Sequence, residues 1–386
     1  MNIRKEALKL HKKFRGKIEI KNKFPIKNQK DLSLAYTPGV AEVSKEVAKN
    51  SSLAYYYTSK WNLVAIVTDG SRVLGLGNIG PLGALPVMEG KALLFKYYAN
   101  VDAFPICLAT QDTEKIVETV KNIAPVFGGI NLEDIDAPRC FEVYDGLRDL
   151  DIPVFHDDRH GTAVVVLAGL INALKIVKKD FFDARIVIGG AGAAGIGVAE
   201  LLVYYGFKNL ILVDSKGILY EGRKNMDKYK QEISRVTNRE KIKGSLEEAL
   251  KEADVFIGLT GVPNLIKKEM IKSMNKDAII FALTNPFPEV MPRDAISAGA
   301  KIVATGRSDL PNQINNSLAF PGIFRGVLDA RARRINEDMQ IEAAKAISNM
   351  VKEKDLRKGK IVPDMVKKDV AKIVAKAVYR VAKNRG

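Results

Sequence analysis

The sequence is short of cysteine, of aromatic residues and of long apolar runs, and each shortage removes a class of protein. Two cysteines among 386 residues, Cys107 and Cys140, cannot build a disulfide framework. Neither has the paired spacing of a thiolate metal site, so both are expected to be buried and inert in a reducing interior. Aromatics make up 7% against an apolar share of 47%, which fits a globular α/β enzyme and excludes a disordered or fibrous chain. The apolar stretches fall short of the roughly 20 residues that span a bilayer. The opening run Met1-Asn2-Ile3-Arg4-Lys5 leads into mixed charge, with no apolar signal core and no small-residue cleavage site. A cytoplasmic protein with no membrane partner is expected. Zinc-finger spacing, an RNP-like aromatic strand and a long basic tail are missing too. The net charge of +16 therefore does not predict nucleic-acid binding. The lysines are spread along the chain and, over residues 352–383, interleave with apolar helix positions; attraction of an anionic substrate or a general lysine bias accounts for them.

What is present has the rhythm of two α/β units, for which 386 residues are enough. Strands are expected at 64–68, 103–108 and 153–155, and helices at 40–49, 89–98, 113–123 and 162–178. Glycines at 75, 77, 80 and 83 recur too irregularly for a repeat; they point to backbone close to a ligand or to a tight packing face. After Asp183 the pattern becomes a clean β-α-β, with strands at 185–188, 210–213, 255–259, 278–283 and 301–304 and a helix from about 196 to 205. From about Ile323 the chain reads as helical, with an amphipathic stretch over 364–383.

Between the first of those later strands and its helix lies Gly190-Ala191-Gly192-Ala193-Ala194-Gly195, a G-x-G-x-x-G element in the context it needs. Gly190 permits the tight turn, Gly192 lets a pyrophosphate approach the backbone, and Gly195 lets helix and strand pack closely. The amides of the helix start at Ala193 and Ala194 are suited to the phosphates. Asp214 closes the next strand, where it can accept from the adenosine ribose hydroxyls. An acidic residue there favours NAD, while Lys216 and Arg223 nearby keep NADP open. A nicotinamide-dependent dehydrogenase follows.

Two carboxylate pairs also stand at strand ends: Glu133-Asp134 and Asp157-Asp158. Adjacent carboxylates raise each other's pKa when confined without a cation. A hard divalent ion such as Mg²⁺ or Mn²⁺ suits oxygen ligands; each pair taken alone reads better as a solvated loop, and only the two pairs together, beside a nucleotide domain, make the metal reading as good. His156 and His160 flank a helix start and are expected to orient or cap rather than to ligate. Taken by themselves, Lys91 reads as a surface helix lysine and Tyr36 as a packed turn tyrosine.

An ordered set of strings resembles the malic enzymes, specifically their short microbial branch. It comprises Tyr36-Thr37-Pro38-Gly39-Val40, the run from Thr68-Asp69-Gly70-Ser71-Arg72 to Gly80, Gly90-Lys91, and Asn131-Leu132-Glu133-Asp134-Ile135. It continues with His156-Asp157-Asp158-Arg159-His160-Gly161-Thr162-Ala163, Leu283-Thr284-Asn285-Pro286, Asn315-Asn316-Ser317 and Phe320-Pro321-Gly322. The resemblance covers roughly residues 30–335. It implies a Rossmann-type dinucleotide-binding domain with a parallel sheet, an N-terminal α/β substrate domain and C-terminal helices. The expected division is 1–156 for the substrate and dimerisation unit, 157–322 for the dinucleotide unit, and 323–386 for a helical segment packing back on the first unit. The implied activity is metal-dependent oxidative decarboxylation of malate to pyruvate with NAD or NADP. Glu133, Asp134 and Asp158 match the metal ligands, with Asp157 as their neighbour. Lys91 matches the general base and Tyr36 the general acid. Arg72 matches the arginine that pairs with a malate carboxylate, Asn285 a residue touching nicotinamide and substrate, and Asn316 a second substrate asparagine. Members of this branch resemble dimers whose sites can draw Tyr36 or Lys91 from a neighbouring chain.

Overall fold

Ten strands divide between two sheets in the computed structural model, which describes residues 3–365 and 367–384. The first sheet contains β1 (Leu63–Thr68), β2 (Asp102–Cys107), β3 (Gly129–Leu132) and β4 (Val154–His156), all parallel, in the order β2-β1-β3-β4. Val67 lies opposite Leu132, and Leu132 opposite His156. This register brings the carboxyl ends of β1, β3 and β4 level, so the polar residues that follow each strand emerge side by side.

The second sheet contains β5 (Arg185–Gly189), β6 (Asn209–Asp214), β7 (Gly217–Ile218), β8 (Val255–Gly258), β9 (Ile279–Ala282) and β10 (Ile302–Thr305), in the order β10-β9-β8-β5-β6-β7. Every pairing is parallel except the short β6–β7 hairpin, too brief to read from the sequence. The strand order reverses at β5, which pairs with β6 on one side and β8 on the other, so the crevice at its carboxyl end is the expected ligand position. Alternate residues feed two cores. Ile186 and Ile188 join the large core that reaches the first sheet, while Val187, Phe256 and Ile280 pack on the opposite face.

Between the sheets runs the helix Thr162–Val177, with twelve of its sixteen residues buried. It continues a π-helical turn, Asp157–Gly161. Together they form 21 residues containing an 18-residue window of mean hydropathy 1.7, long and apolar enough to cross a membrane by length and composition. This corrects the expectation that no stretch reaches that length. The helix packs on Ala193–Tyr205 and Glu337–Ser348, and 72% of its apolar window is buried inside the protein.

The helix expected at 89–98 spans Gly80–Ala99. Its glycines and Pro86 hid the first turns, but Pro81 is tolerated at a helix start and Ala84, Met88, Ala92 and Phe95 form one buried stripe. Phe95 meets Phe320 and Phe324 at ring distances of 4.7 and 5.2 Å. These two rings belong to the helix Phe320–Ala330, which carries the helix Asp369–Asn384. Gly322 and Gly326 allow that approach, since a Cβ at either would come within 2.7 Å of Ala371 O or Ala375 O. The expected amphipathic stretch 364–383 is helical only from Asp369; Val366, like Met1 and Asn2, lies outside the described residues. Cys140 is buried, its thiol pushed up to about 12 by burial. Cys107, expected to be buried, is only half-buried because β2 is an edge strand. The helices Ile3–Phe14, Gln29–Ala35 and Gly39–Lys49 bury no residue, leaving Leu8, Phe14, Leu34, Val40 and Val43 exposed.

Candidate active site

The glycine loop satisfies three separate steric demands. Gly190 has φ +103°, and a Cβ there would lie 2.4 Å from Leu259 O. A Cβ on Gly195 would fall 1.8 Å from Gly190 O, so only glycine lets the helix Ala193–Tyr205 sit this close to β5. Gly192 differs: nothing lies within 4 Å of its missing Cβ. It faces the open groove, as a residue that admits a pyrophosphate must. The amides of Ala193 and Ala194 open the helix beside it.

The groove encloses about 1490 Å³ and runs from this loop to the end of β6. Asp214 lies there, but its oxygens are engaged. Arg223 donates to both, at 2.9 and 2.5 Å, Lys230 Nζ lies 3.2 Å from Oδ2, and the Lys216 amide donates to Oδ1 at 2.9 Å. Burial alone would raise the Asp214 pKa; these donors overturn it and hold the carboxyl at about 2.

A second cavity of about 370 Å³ shares Arg72, Gly192, Ala193 and Leu259 with the first, so the two are continuous. It contains Lys91, Glu133, Asp134, Asp157, Asp158, Asn285 and Asn316, seven of the expected site residues counting Arg72 but leaving aside the neighbour Asp157 and the glycine loop. Glu133 and Asp134 follow β3 and Asp158 follows β4; ligand oxygens of these three lie within 4.8 Å of one another. Asp134 adopts φ +53°, and its amide donates to Asp158 Oδ2 at 3.0 Å. Asp134 Oδ2 is buried with no hydrogen-bond partner among the described residues. Burial, then the Asp158 charge, pushes Asp134 up to about 8. Glu133 is likewise driven well above its ordinary range by burial and its acidic neighbours, against the pull of Lys91. Such a group, all oxygen and short of positive charge, fits a hard divalent cation.

Lys91 projects into this cluster from the Gly80–Ala99 helix, not to the surface. Its Nζ donates to Glu133 Oε1 at 2.8 Å and to Asp157 Oδ2, and sits 4.1 Å from the centre of the Phe320 ring. Burial would depress its pKa, but Asp157 and Glu133 more than reverse this, so in the metal-free protein it is an ammonium. Asp157 is held in turn by Asn316, whose Nδ2 donates at 3.0 Å. A Cβ on Gly161 would fall 1.9 Å from Asp157 Oδ1, which explains the glycine in that motif. His160 Nδ1 accepts the His156 amide at 3.2 Å, and burial followed by the Arg159 charge keeps it neutral. His156 Nε2 lies 3.5 Å from Asp158. Both histidines thus brace the turn.

Arg72 lies at the pocket mouth, 3.3 Å from Asp136. Asn285 fits a slot between Gly75 and Gly306, where a Cβ would approach it to 3.0 and 2.6 Å respectively. Tyr36 is the expected site residue that one chain does not bring in. It is 68% exposed on the outward face of the N-terminal helices and does not line the cavity.

Three contributors carry no obvious mark in the sequence. Asn131, in β3, braces Glu133 Oε2 just beyond the strand's end at 2.9 Å; its signal was the two-residue spacing that keeps both on one side of an extended chain. Phe320 lies far along the chain, and only the fold puts its ring under Lys91. Glu289, fully buried, accepts from the amides and hydroxyls of Thr260 and Thr284 at 2.6–3.1 Å and ties together the loops after β8 and β9.

Residues 15–148 match the malic enzyme N-terminal domain and residues 160–383 the malic enzyme NAD binding domain. The bifunctional malic/malolactic enzyme of Bacillus subtilis (strain 168) is 55% identical over 388 aligned positions, covering 100% of this chain and 94% of that protein. The NADP-dependent malic enzyme of Rhizobium meliloti (strain 1021) is 49% identical over 90% of this chain, which spans only 46% of that protein. The crystal structure of the NAD-dependent malic enzyme of Thermotoga maritima superposes with a TM-score of 0.93, at 49% identity, over 97% of this chain and 98% of the other. The sequence strings, the two-sheet fold and these matches agree: the chain belongs to the malic enzyme family.

Proposed function

We propose that this chain catalyses the oxidative decarboxylation of (S)-malate to pyruvate and CO₂, with NAD or NADP as electron acceptor and Mg²⁺ or Mn²⁺ held by Glu133, Asp134 and Asp158. The observation that carries this reading is the continuity of an all-oxygen carboxylate cluster with a dinucleotide groove, joined at Gly192 and Ala193. When bound, the ion supplies Lewis acidity to the substrate oxygens and the nicotinamide supplies the two-electron acceptor.

The chain's own residues bind, orient and move protons. Arg72 exchanges Asp136 for a malate carboxylate, a charge-assisted pairing suited to its planar fork. Asn316 and Asn285 orient the substrate through their amides, and Asn285 also touches the nicotinamide side. With its carboxylate partners drawn towards a bound cation, Lys91 would lose its proton, and as a neutral amine its Nζ would take the proton of the C2 hydroxyl; Glu133 and Asp157 fix its position beforehand. Tyr36 returns a proton to C3 once CO₂ has left. Since Tyr36 is exposed on an N-terminal face that buries nothing within its own chain, we assign it to the site of a second copy in a dimer. We take NAD as the main cofactor, with NADP admitted by Lys216 and Arg223. The units are those expected from the sequence (1–156, 157–322 and 323–386), and the enzyme works in the cytoplasm on a small-molecule substrate.

Equimolar formation of pyruvate, CO₂ and reduced cofactor from malate, abolished by excess chelator and restored by Mn²⁺, is the expected result. Undiminished turnover in chelator refutes the metal site, and accumulation of oxaloacetate without CO₂ identifies a plain hydroxy-acid dehydrogenase instead. Mixing the inactive Tyr36→Phe and Lys91→Ala variants tests the exchange. A statistical mixture of two-fold dimers should recover about a quarter of wild-type activity if Tyr36 acts across the interface, and none if it acts within its own chain.

A further inference from the structure

The loops after β8 and β9 form a wall shared by the groove and the second cavity. Leu259 lines both, Thr260 and Val262 line the first, and Leu283 and Asn285 the second. Behind that wall lies a carboxylate for which the reaction derived above has no use. Glu289 is fully buried, and the four donors that meet its side chain are all neutral. Oε1 accepts from the Thr260 amide at 3.1 Å, the Thr260 hydroxyl at 3.0 Å and the Thr284 hydroxyl at 2.6 Å; Oε2 accepts from the Thr284 amide at 3.1 Å. Burying a carboxylate without a cation is costly even when it is hydrogen-bonded, and an apolar side chain of similar size would fill the space with less penalty. What the carboxylate supplies instead is placement.

The direction of each hydrogen bond shows why the group must be an acceptor only. Thr284 Oγ1 accepts the Gly261 amide at 2.9 Å, so its own hydrogen goes on to Glu289. Thr260 Oγ1 accepts the Val262 amide at 3.0 Å and likewise donates to Glu289, the nearer of its two acceptors. An ionised carboxylate takes all four donors, whereas an amide would set an N–H against one of them. The carboxylate is itself fixed. Glu289 O accepts the Ile266 amide at 3.0 Å, and Gly258, at the end of β8, leaves it room, since a Cβ there would lie 2.5 Å from Glu289 Cδ. Asn285 follows Thr284 directly, so its slot between Gly75 and Gly306 is set from the same anchor.

We propose that Glu289 is the positioning residue of the nicotinamide end: it joins residues 260–262 and 284–285 into one wall and so sets where the ring and the Asn285 amide stand against C2 of malate. It touches neither substrate nor cofactor and acts through Thr260, Thr284 and Asn285. Transfer of a hydride depends steeply on such placement, about 10²-fold for a misplacement of about 1 Å. Asp214 at the adenosine end and the Glu133–Asp134–Asp158 cluster share no hydrogen bond with this network, so its loss should be felt at the nicotinamide alone. The proposal rests on the malate-oxidising reading given above, and the test separates the two.

Glu289→Gln keeps the size of the side chain and turns one acceptor into a donor. In the full-length variant, kcat with malate and NAD should fall by about tenfold or more while KM for malate changes less than about threefold. The ratio of rates with unlabelled and C2-deuterated malate should rise above the wild-type value, because hydride transfer becomes the slower step. By titration calorimetry NADH should bind about threefold or more weakly, while Mn²⁺ and 5′-AMP, which reads the adenosine end alone, stay within about twofold. Unchanged turnover, or lower turnover with an unchanged isotope ratio, overturns the proposal. So does a parallel loss of Mn²⁺ and 5′-AMP affinity, which marks Glu289 as a support of the whole fold. If Glu289→Gln does not fold, Thr284→Val replaces it, keeping the carboxylate and removing only the hydroxyl between Gly261 and Glu289. It should show the same pattern with kcat lower by about threefold or more, and wild-type behaviour contradicts the proposal. Wild-type protein that binds NADH without oxidising malate refutes the malate reading, a different failure; equal NADH affinity in wild type and variant then still overturns the role of Glu289.

Discussion

At the end of β6 one carboxylate is met by two cations and a backbone amide, whereas beyond β3 and β4 four carboxylates crowd around Lys91, with Arg72 at the rim. Both regions line one continuous groove, and both are partly shielded from water. They differ in whether the chain balances its own charge. The Asp214 end is closed on itself, with its carboxyl held at about 2, so nothing there calls for a further ion and what remains is selectivity. The Glu133–Asp134–Asp158 end is unfinished: burial and mutual repulsion push Asp134 up to about 8, and its Oδ2 has no partner among the described residues. Buried charge is tolerated only when compensated, so an uncompensated cluster marks where a cation has to enter.

That contrast can be broken at either end. The largest effect is expected from Lys91→Ala, which removes the buried ammonium from the unfinished end. Turnover with malate should fall by about 10²–10⁴-fold, the range typical of a lost proton-transfer group, while 5′-AMP affinity stays unchanged. Near-normal turnover in a steady-state assay would show that Lys91 is not the base. Gly195→Ala attacks the other end. Its Cβ would stand 1.8 Å from Gly190 O, so the loop must deform at a cost of about 1–3 kcal/mol or more. Nucleotide affinity should drop about tenfold with Mn²⁺ binding intact; parallel loss of both would mean that the two ends are not independent.

A smaller effect concerns stability without metal. Asp134 has a folded pKa raised to about 8 from an ordinary 3.8, so it favours folding while protonated. Its contribution is present below the unfolded pKa of about 3.8 and is lost as pH rises towards 8. Asp134→Asn removes that loss. In chelator the variant should melt at least about 2 °C above wild type at pH 8 and show a smaller gap at pH 5. A variant less stable than wild type at pH 8 would mean that the cluster is balanced without an ion.

Local sterics made part of this legible in the sequence. The glycine loop can be read because Gly190 and Gly195 answer contacts within a few residues or an adjoining strand, while Gly192 leaves the groove open. The paired carboxylates could be noticed because adjacency is itself costly, and the ordered strings around them pointed to their roles. What needed the fold was anything set by the path of the chain. Arg223 reaches Asp214 only because the β6–β7 hairpin turns the loop back, so an acidic residue that reads as a selector for NAD proves to be paired. The first nine residues of the Gly80–Ala99 helix were hidden by glycine and proline, although its buried stripe specifies it. Lys91 and Phe320 are 229 positions apart and meet only through packing of the Phe320–Ala330 helix on that same element. Tyr36 is a different case, since its surroundings in a single chain do not include the pocket.

The most direct test of the unfinished-charge account is a calorimetric titration of metal-free protein with Mn²⁺, comparing wild type with the double variant Glu133→Gln and Asp158→Asn. The account predicts one ion per chain in the wild type and at least about a hundredfold weaker binding in the variant, with 5′-AMP affinity unchanged. Equal Mn²⁺ affinity in the two proteins would contradict it.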